Sequence, residues 1–197
     1  MPKGIPLTEE EQEQRRRAIV DASLSLFLKQ GFPETSMREI AEAAGMGKSS
    51  LYDYFATKDD VLLFVIEDMT ITIMERGRAI AGQDLPPDER IRRIMHMQRV
   101  YLQANDSLFW LLVNEAQRLG PESQRRLQER RYELQDLVRG IIEDGIAQRC
   151  YRQVNALLAA RLMLNSLVPV LYTSRPTGSA EAMLDEAVEI FLRGIRL

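Results

Sequence analysis

Residues 35–58 contain two short helical segments separated by a glycine, and this arrangement constrains the fold more than any other stretch. Ser36 and Glu39 have the spacing of a capping box, in which each side chain accepts a hydrogen bond from the other residue's backbone N–H group. The box predicts a helix over residues 37–44. Gly45 is expected to end this helix, because glycine adopts the left-handed conformation at a helix C-terminus at little cost.

A second short helix is predicted from Lys48, close enough in the chain to cross the first. Ala41 is small enough to allow a close crossing, and Leu51 is placed to close the small core between the two helices. This pattern is typical of a helix-turn-helix, whose second helix enters the DNA major groove. A plain helical hairpin in a larger bundle has the same pattern, so the two helices alone leave both interpretations open.

Residue types around this motif resemble the DNA-binding head of the tetracycline-repressor (TetR/AcrR) family of bacterial transcription regulators. The resemblance covers residues 15–63. It implies an all-α fold of about nine helices, with an N-terminal arm and helix-turn-helix head over residues 1–56 and a helical effector-binding and dimerisation domain over residues 57–197. The matching residues are Gly31, Phe32, Thr35, Ile40, Ala41, Ala44, Gly45, Leu51, Tyr52, Asp53, Tyr54, Phe55 and Lys58.

Apolar residues recur at helical spacing through the rest of the chain, without convincing strand alternation. Residues 1–7 are expected to form a mobile arm. Pro169 is expected to kink the eighth helix or to end it early. That helix is apolar on most sides, which predicts a homodimer formed by the last two helices of each chain. The interface candidates are Leu158, Leu162, Val188 and Phe191.

Composition limits the class of protein. With 197 residues, of which 45% are hydrophobic, the chain can form one or two domains with a real core. No apolar run approaches the ~18–20 residues of a membrane span. The N-terminus has no apolar signal segment, and the single cysteine, Cys150, fits a reducing compartment, so a cytoplasmic location without membrane contact is expected.

Charge argues against a general nucleic-acid binder, because the net charge is −3 and residues 1–60 contain eight Lys or Arg but eleven Asp or Glu. Local arrangement nevertheless decides phosphate contact. The resemblance implies that residues matching the family's DNA-contacting positions also contact DNA here. In the family, the lysine that matches Lys58 contacts the DNA backbone. The candidates are Thr35, Ser36, Arg38, Lys48, Ser49, Ser50, Tyr52, Tyr54 and Lys58.

Several of these residues have more than one interpretation. Lys48 is suited to guanine acceptors, and Tyr52 to a phosphate. Tyr54 lies three residues after Leu51 and is expected to be partly core. Gly47 replaces a serine cap that the family often has. Asp53 is expected on the DNA side, where its carboxylate would repel phosphate unless it accepts from a cytosine amino group or turns away.

The second domain is expected to bind a small hydrophobic effector. Asn114 and Asn165 are notable because an amide on an apolar helix needs a partner. The long seventh helix and the Asn-containing eighth helix loosely resemble family members that sense fatty acyl-coenzyme A. The ligand candidates are Met97, Tyr101, Phe109, Trp110, Asn114, Arg118, Met163, Asn165 and Tyr172.

The sequence therefore predicts a ligand-responsive repressor that binds a palindromic operator on double-stranded DNA as a dimer. No cofactor or metal is expected, because one histidine, His96, and one cysteine are too few for a metal site or a Cys–His pair. A helical small-molecule-binding protein with a degenerate head is the alternative, which the acidic head and Asp53 favour. An enzyme on a helical bundle lacks any supporting motif.

Overall fold

A computed structural model describes residues 8–197, and within that range the chain forms nine α-helices and no strand. The predicted mobile arm, residues 1–7, lies outside the described residues. The all-α prediction is confirmed. The helices are α1 (Glu9–Gln30), α2 (Met37–Ala43), α3 (Lys48–Tyr52), α4 (Lys58–Ala81), α5 (Pro87–Ala104), α6 (Asp106–Ala116), α7 (Pro121–Ala147), α8 (Ala156–Leu171) and α9 (Ala180–Ile195).

The chain divides into two compact units. The first contains residues 8–68 together with residues 106–124, and the second contains residues 69–105 and 125–197. Residues of α4 therefore belong to both units. The division into functional domains at residue 56 stays a prediction.

The first unit is built around α1, α2, α3 and α6. Its α1 begins with a capping box between Thr8 and Glu11 and ends at Gly31, whose φ is 95°. Phe27 and Phe32 contact each other edge to face, with ring centroids 4.9 Å apart. The buried core of this unit, which also draws on the connecting loops and the start of α4, includes Ile19, Phe27, Phe32, Ile40, Ala41, Leu51, Phe55 and Val61.

The second unit is formed by α5, α7, α8, α9 and the C-terminal part of α4. Its α8 packs on α9, and α5 contacts both. Pro169 lies in the last turn of α8, which ends at Leu171. The core includes Ile91, Ile94, Met95, Ile141, Ile142, Met163, Leu184, Val188 and Leu192.

A cluster that we call the C-terminal clasp joins the end of α9 to the segment between α7 and α8. Tyr151 pairs with Arg196 in an isolated antiparallel bridge, and the Tyr151 hydroxyl donates to Asp88 Oδ1 at 2.6 Å. Arg196 Nε donates to Asp88 Oδ2 at 2.7 Å. Burial, and then the hydrogen bond to Asp88, raise the pKa of Tyr151. The tyrosine ring lies directly against Gly145, where a side chain would occupy the same space.

Candidate nucleic-acid interface

The predicted helix-turn-helix is present as α2, a glycine turn and α3. Ser36 Oγ accepts from the Glu39 N–H at 3.3 Å, and Glu39 Oε2 accepts from the Ser36 N–H at 2.8 Å, which confirms the capping box. Gly45 has a φ of 67°, the left-handed conformation expected for it. Leu51 is fully buried, so one face of α3 is fixed against the head.

The opposite face of α3 is polar and accessible. Lys48 and Ser49 are exposed, Ser50 is half-buried, and Tyr52 retains 45% of its accessible surface. Lys48 Nζ lies 5.8 Å from the centroid of the Tyr52 ring, a cation–π distance. The face therefore presents hydroxyl groups and one ammonium, which suit phosphate oxygens and the acceptor edges of guanine. No side chain caps α3 at Gly47, as the sequence predicts.

Arginine and glutamate form ion pairs on the exposed surfaces of the head. Arg38 Nε donates to Glu42 Oε1 at 2.8 Å, and both side chains are exposed. Arg17 pairs with Glu13 one turn away in α1. Each carboxylate accepts from a guanidinium group that could otherwise bind a phosphate. A contact between Arg38 and DNA would therefore compete with Glu42.

Two of the predicted DNA contacts, Thr35 and Lys58, make side-chain hydrogen bonds within the head, and a third, Tyr54, is partly covered by it. Thr35 is only 2% exposed, and its hydroxyl donates to the Gly31 carbonyl at 2.8 Å, so this side chain is better assigned to the loop after α1 than to a DNA contact. Tyr54 is half-buried, consistent with its partly core position. The Lys58 ammonium donates to three backbone carbonyl oxygens in the same loop.

The nine predicted ligand residues are divided between the two units. Phe109, Trp110, Asn114 and Arg118 belong to the first unit, and the other five belong to the second. Within each unit their environments differ widely: Met163 is 1% exposed, Trp110 is 38% exposed, and Arg118 pairs with Glu115. Tyr101 lies under the Arg76 guanidinium, and Tyr172 Oη approaches the Leu102 carbonyl at 3.5 Å.

Burial within the described residues does not require a partner for Asn114 or Asn165, so the expectation that each amide needs one stays a prediction. Both side chains lie on exposed faces of their helices, so water can satisfy their amide groups. On α8, Asn165 follows the exposed Leu158 and Leu162 by seven and three residues, so the three side chains lie on one face of the helix. Neither amide is buried within this chain, and Asn165 belongs to the face of α8 that contains two of the predicted interface residues.

An open cavity of about 400 Å³ lies between α4, α5 and α9 in the second unit. Of the predicted ligand residues, Met97 lines it. Arg92 in its wall pairs with Glu189, and Arg93 donates to Glu89 at 2.7 Å, so these guanidinium groups already have acidic partners. The lining residues are Ile80, Gln83, Glu89, Arg92, Arg93, His96, Met97 and Asp185. Within the described part of the chain, His, Cys, Asp and Glu form no cluster that could hold a metal ion.

Two of the four predicted interface residues have apolar side chains that are more than half exposed. Leu158 and Leu162 in α8 are 54% and 61% exposed, while Phe191 is half-buried. Val188 is 2% exposed and belongs to the core of its own chain, so its assignment to an interface is corrected. Ile190, which the sequence reasoning missed, is 66% exposed.

The spacing in α9 contains the signal that would have separated these two residues. The buried positions of α9 are Leu184, Val188, Leu192 and Ile195, which follow each other at intervals of three or four. They form one continuous stripe, which faces the chain's own core. Ile190 falls outside that stripe and so belongs to another face.

Comparison with known proteins agrees with this architecture. The sequence profile of "Bacterial regulatory proteins, tetR family" matches residues 19–65, and that of "Tetracyclin repressor-like, C-terminal domain" matches residues 84–195. The HTH-type transcriptional regulator PksA of Bacillus subtilis is 34% identical over 95 residues, a match that covers 48% of the chain and 44% of that protein. The HTH-type transcriptional repressor KstR2 of Rhodococcus jostii is 24% identical over 92% of the chain and 91% of that protein.

A solved structure of AibR in complex with isovaleryl coenzyme A and operator DNA has the same fold. It superposes with a TM-score of 0.69 at 23% identity and covers 89% of this chain and 97% of AibR.

Within residues 8–197, no helix is both long and apolar enough to cross a bilayer. Because the C-terminal profile alone spans more than half of the chain and the N-terminal profile covers the helix-turn-helix, this protein belongs to the tetR family of bacterial regulatory proteins.

Proposed function

We propose that this chain is a ligand-responsive transcriptional repressor that binds a palindromic operator as a homodimer in the cytoplasm. The observation that carries the proposal is α3, which buries Leu51 against the head and exposes Lys48, Ser49 and Tyr52 on its other face. A short helix fixed on one side with donors on the other has the form that reads a major groove.

The contacts divide into two kinds. Lys48, at the start of α3, donates to guanine O6 and N7. Ser49 and Ser50 supply short hydroxyl groups that can hydrogen-bond to more than one kind of base. Tyr52 and Arg38 bind phosphate and fix the register of the helix. Arg38 leaves Glu42 when it does so, because the two partners compete for one guanidinium.

The dimer is proposed to form through α8 and α9, which pack on each other in the second unit. Leu158 and Leu162 lie one turn apart on α8 and are each more than half exposed, as is Ile190 on α9. A large exposed apolar patch is unusual on a monomer. A two-fold dimer explains why the operator would be palindromic, with half-sites about 10 base pairs, or a multiple, apart.

The effector is proposed to be an acyl-coenzyme A or a similar small hydrophobic molecule. AibR, which shares the fold, was solved with isovaleryl coenzyme A, and this chain has methionine and aromatic side chains on α5, α6 and α8. Such an effector acts only if it binds the DNA-competent and DNA-incompetent states with different affinities. The residues of α4 that continue from the first unit into the second provide a covalent connection for this coupling.

The test is a binding selection on fragmented genomic DNA followed by sequencing. Enrichment of one palindrome supports the proposal and supplies the probe for effector screening. Lys48→Ala and Tyr52→Phe should then weaken binding to that duplex while the dimer persists. Lys29→Ala, which removes an exposed lysine of α1 outside the proposed contacts, is the matched control. A folded dimer that enriches no sequence would instead favour a small-molecule-binding protein with a degenerate head.

A further inference from the structure

Lys58 is the first residue of α4, and its ammonium group has unusually complete hydrogen bonding. Nζ donates to the carbonyl oxygens of Phe32 at 2.7 Å, Pro33 at 2.9 Å and Thr35 at 3.0 Å. The same nitrogen lies 4.7 Å from the centroid of the Phe32 ring. All four contacts are made to one short loop, which connects α1 to α2.

We propose that Lys58 is a positioning residue, which holds the loop before α2 and so sets the placement of the helix-turn-helix, rather than a residue that contacts DNA phosphate. This inference rests on the proposed DNA-binding function. It departs from the phosphate contact that the family resemblance implies for the matching lysine.

Donor count is the first argument. A lysine ammonium has three N–H donors and no acceptor, and here three carbonyl oxygens accept from it. A direct phosphate contact would require Lys58 to release at least one of these oxygens. Thr35 is buried and its hydroxyl already donates to Gly31, so the loop that would lose the ammonium lies partly inside the head.

Location is the second argument. The carbonyl of Thr35 immediately precedes Ser36, the residue that caps α2. Lys58 therefore connects the first residue of α4 to the start of α2. A cation at a helix N-terminus is disfavoured by the helix dipole, whereas Asp59 and Asp60 in the same turn are favoured. The carbonyl contacts explain why a lysine is tolerated at this position.

The choice of lysine over arginine is the third argument. The chain has 22 arginines but only four lysines, all within the first 58 residues. An ammonium is a compact charge whose three donors can converge on carbonyls around one nitrogen, whereas a guanidinium is a planar fork. Arginine is an excellent phosphate ligand, so Lys58→Arg separates the two roles.

The first experiment measures the accessibility of the amine. Reductive methylation of the full chain, followed by peptide mass spectrometry, gives a separate rate for each lysine. Lys58 should react many times more slowly than the exposed Lys29 and Lys48, since its nitrogen is enclosed by carbonyl oxygens. Equal rates at the three lysines would overturn the positioning role of Lys58. This measurement needs neither DNA nor a variant, so it stands even where a substitution prevents folding.

The second experiment measures binding of Lys58→Arg and Lys58→Met to the duplex enriched in the genomic selection, over a range of salt concentrations. A positioning role predicts that both variants bind about tenfold or more weakly while their salt dependence matches that of the unmodified protein. A phosphate contact predicts that Lys58→Arg binds normally and that Lys58→Met loses about 0.9 from the slope of log affinity against log salt. Normal binding by Lys58→Arg, or a slope reduced by about 0.9 in Lys58→Met, would overturn the inference.

Failure of this inference is distinguishable from failure of the proposed function. If the unmodified protein enriches no DNA, the repressor proposal fails and the positioning role fails with it. If the unmodified protein binds its operator and Lys58→Arg binds equally well, only the positioning role fails. Circular dichroism at the assay temperature establishes that each variant is folded before its affinity is compared.

Discussion

Replacement of Gly145 by alanine should destabilise the second unit sharply. The added Cβ would lie 2.2 Å from Cδ2 and 2.3 Å from Cε2 of Tyr151, far inside van der Waals contact. Tyr151 cannot move aside freely, since its ring is 2% exposed, its hydroxyl is bonded to Asp88, and its N–H donates to the Gly145 carbonyl at 3.0 Å. The substitution therefore forces either the ring or α7 out of place.

The expected cost follows from three contributions. Overpacking in a core costs about 1–3 kcal/mol. Displacement of the ring also breaks a hydrogen bond to a charged carboxylate, worth about 1.5–3 kcal/mol. Alanine has a higher helix propensity than glycine, which offsets up to about 1 kcal/mol of this loss. The net loss is about 1.5–6 kcal/mol, which corresponds to a fall in melting temperature of about 3–24 °C for a chain of this length.

The measurement is urea and thermal unfolding at a fixed protein concentration, because the stability of the proposed dimer would depend on concentration. Gly140→Ala on the same helix is the matched control, since a Cβ there would have no heavy atom within 4 Å. That variant should be as stable as the unmodified protein or slightly more so. If Gly145→Ala unfolds at the same temperature as Gly140→Ala, the close packing of the tyrosine on α7 is refuted.

Three further predictions concern the surface. Leu162→Glu should yield a folded monomer by analytical ultracentrifugation, because it places a charge on the apolar face of α8; a persistent dimer would exclude that face. Hydrogen bonds from Arg193 and Arg92 lower the pKa of Glu189 from 4.5 to about 2, so the stability it contributes is complete above pH 4.5 and is lost as the pH falls towards 2. Glu189→Gln should flatten the dependence of unfolding free energy on pH over that range, and an unchanged slope would contradict the assignment. Glu42→Gln should tighten operator binding severalfold at low salt by releasing Arg38, and equal affinity would show that the pair does not compete with DNA.

Local signals in the sequence were sufficient for much of the fold. Capping boxes at Thr8 and Ser36 and the glycine at position 45 define helix ends through contacts between residues close in the chain. Such contacts depend little on the rest of the fold, so their positions agree with the structure. The buried side of α3 was predictable for the same reason, from the position of Leu51.

Contacts between distant residues were not predictable in this way. Lys58 reaches carbonyl groups 23 to 26 residues earlier, and nothing in its own sequence neighbourhood indicates them. Exposure also depends on which face of a helix meets a neighbour, and this determines whether Val188 or Ile190 faces outwards. Hydrophobicity alone treats the two residues as equivalent, whereas their exposed fractions are 2% and 66%.

The pairing of head arginines with glutamates has a consequence for how the protein would search a genome. Each pair supplies its own counter-charge, so a duplex of arbitrary sequence gains little by approaching Arg17 or Arg38. Non-specific affinity arises almost entirely from such phosphate contacts. If the protein is a repressor as proposed, few of its molecules would be held on DNA of random sequence. A small number of copies would then be enough to occupy its operators.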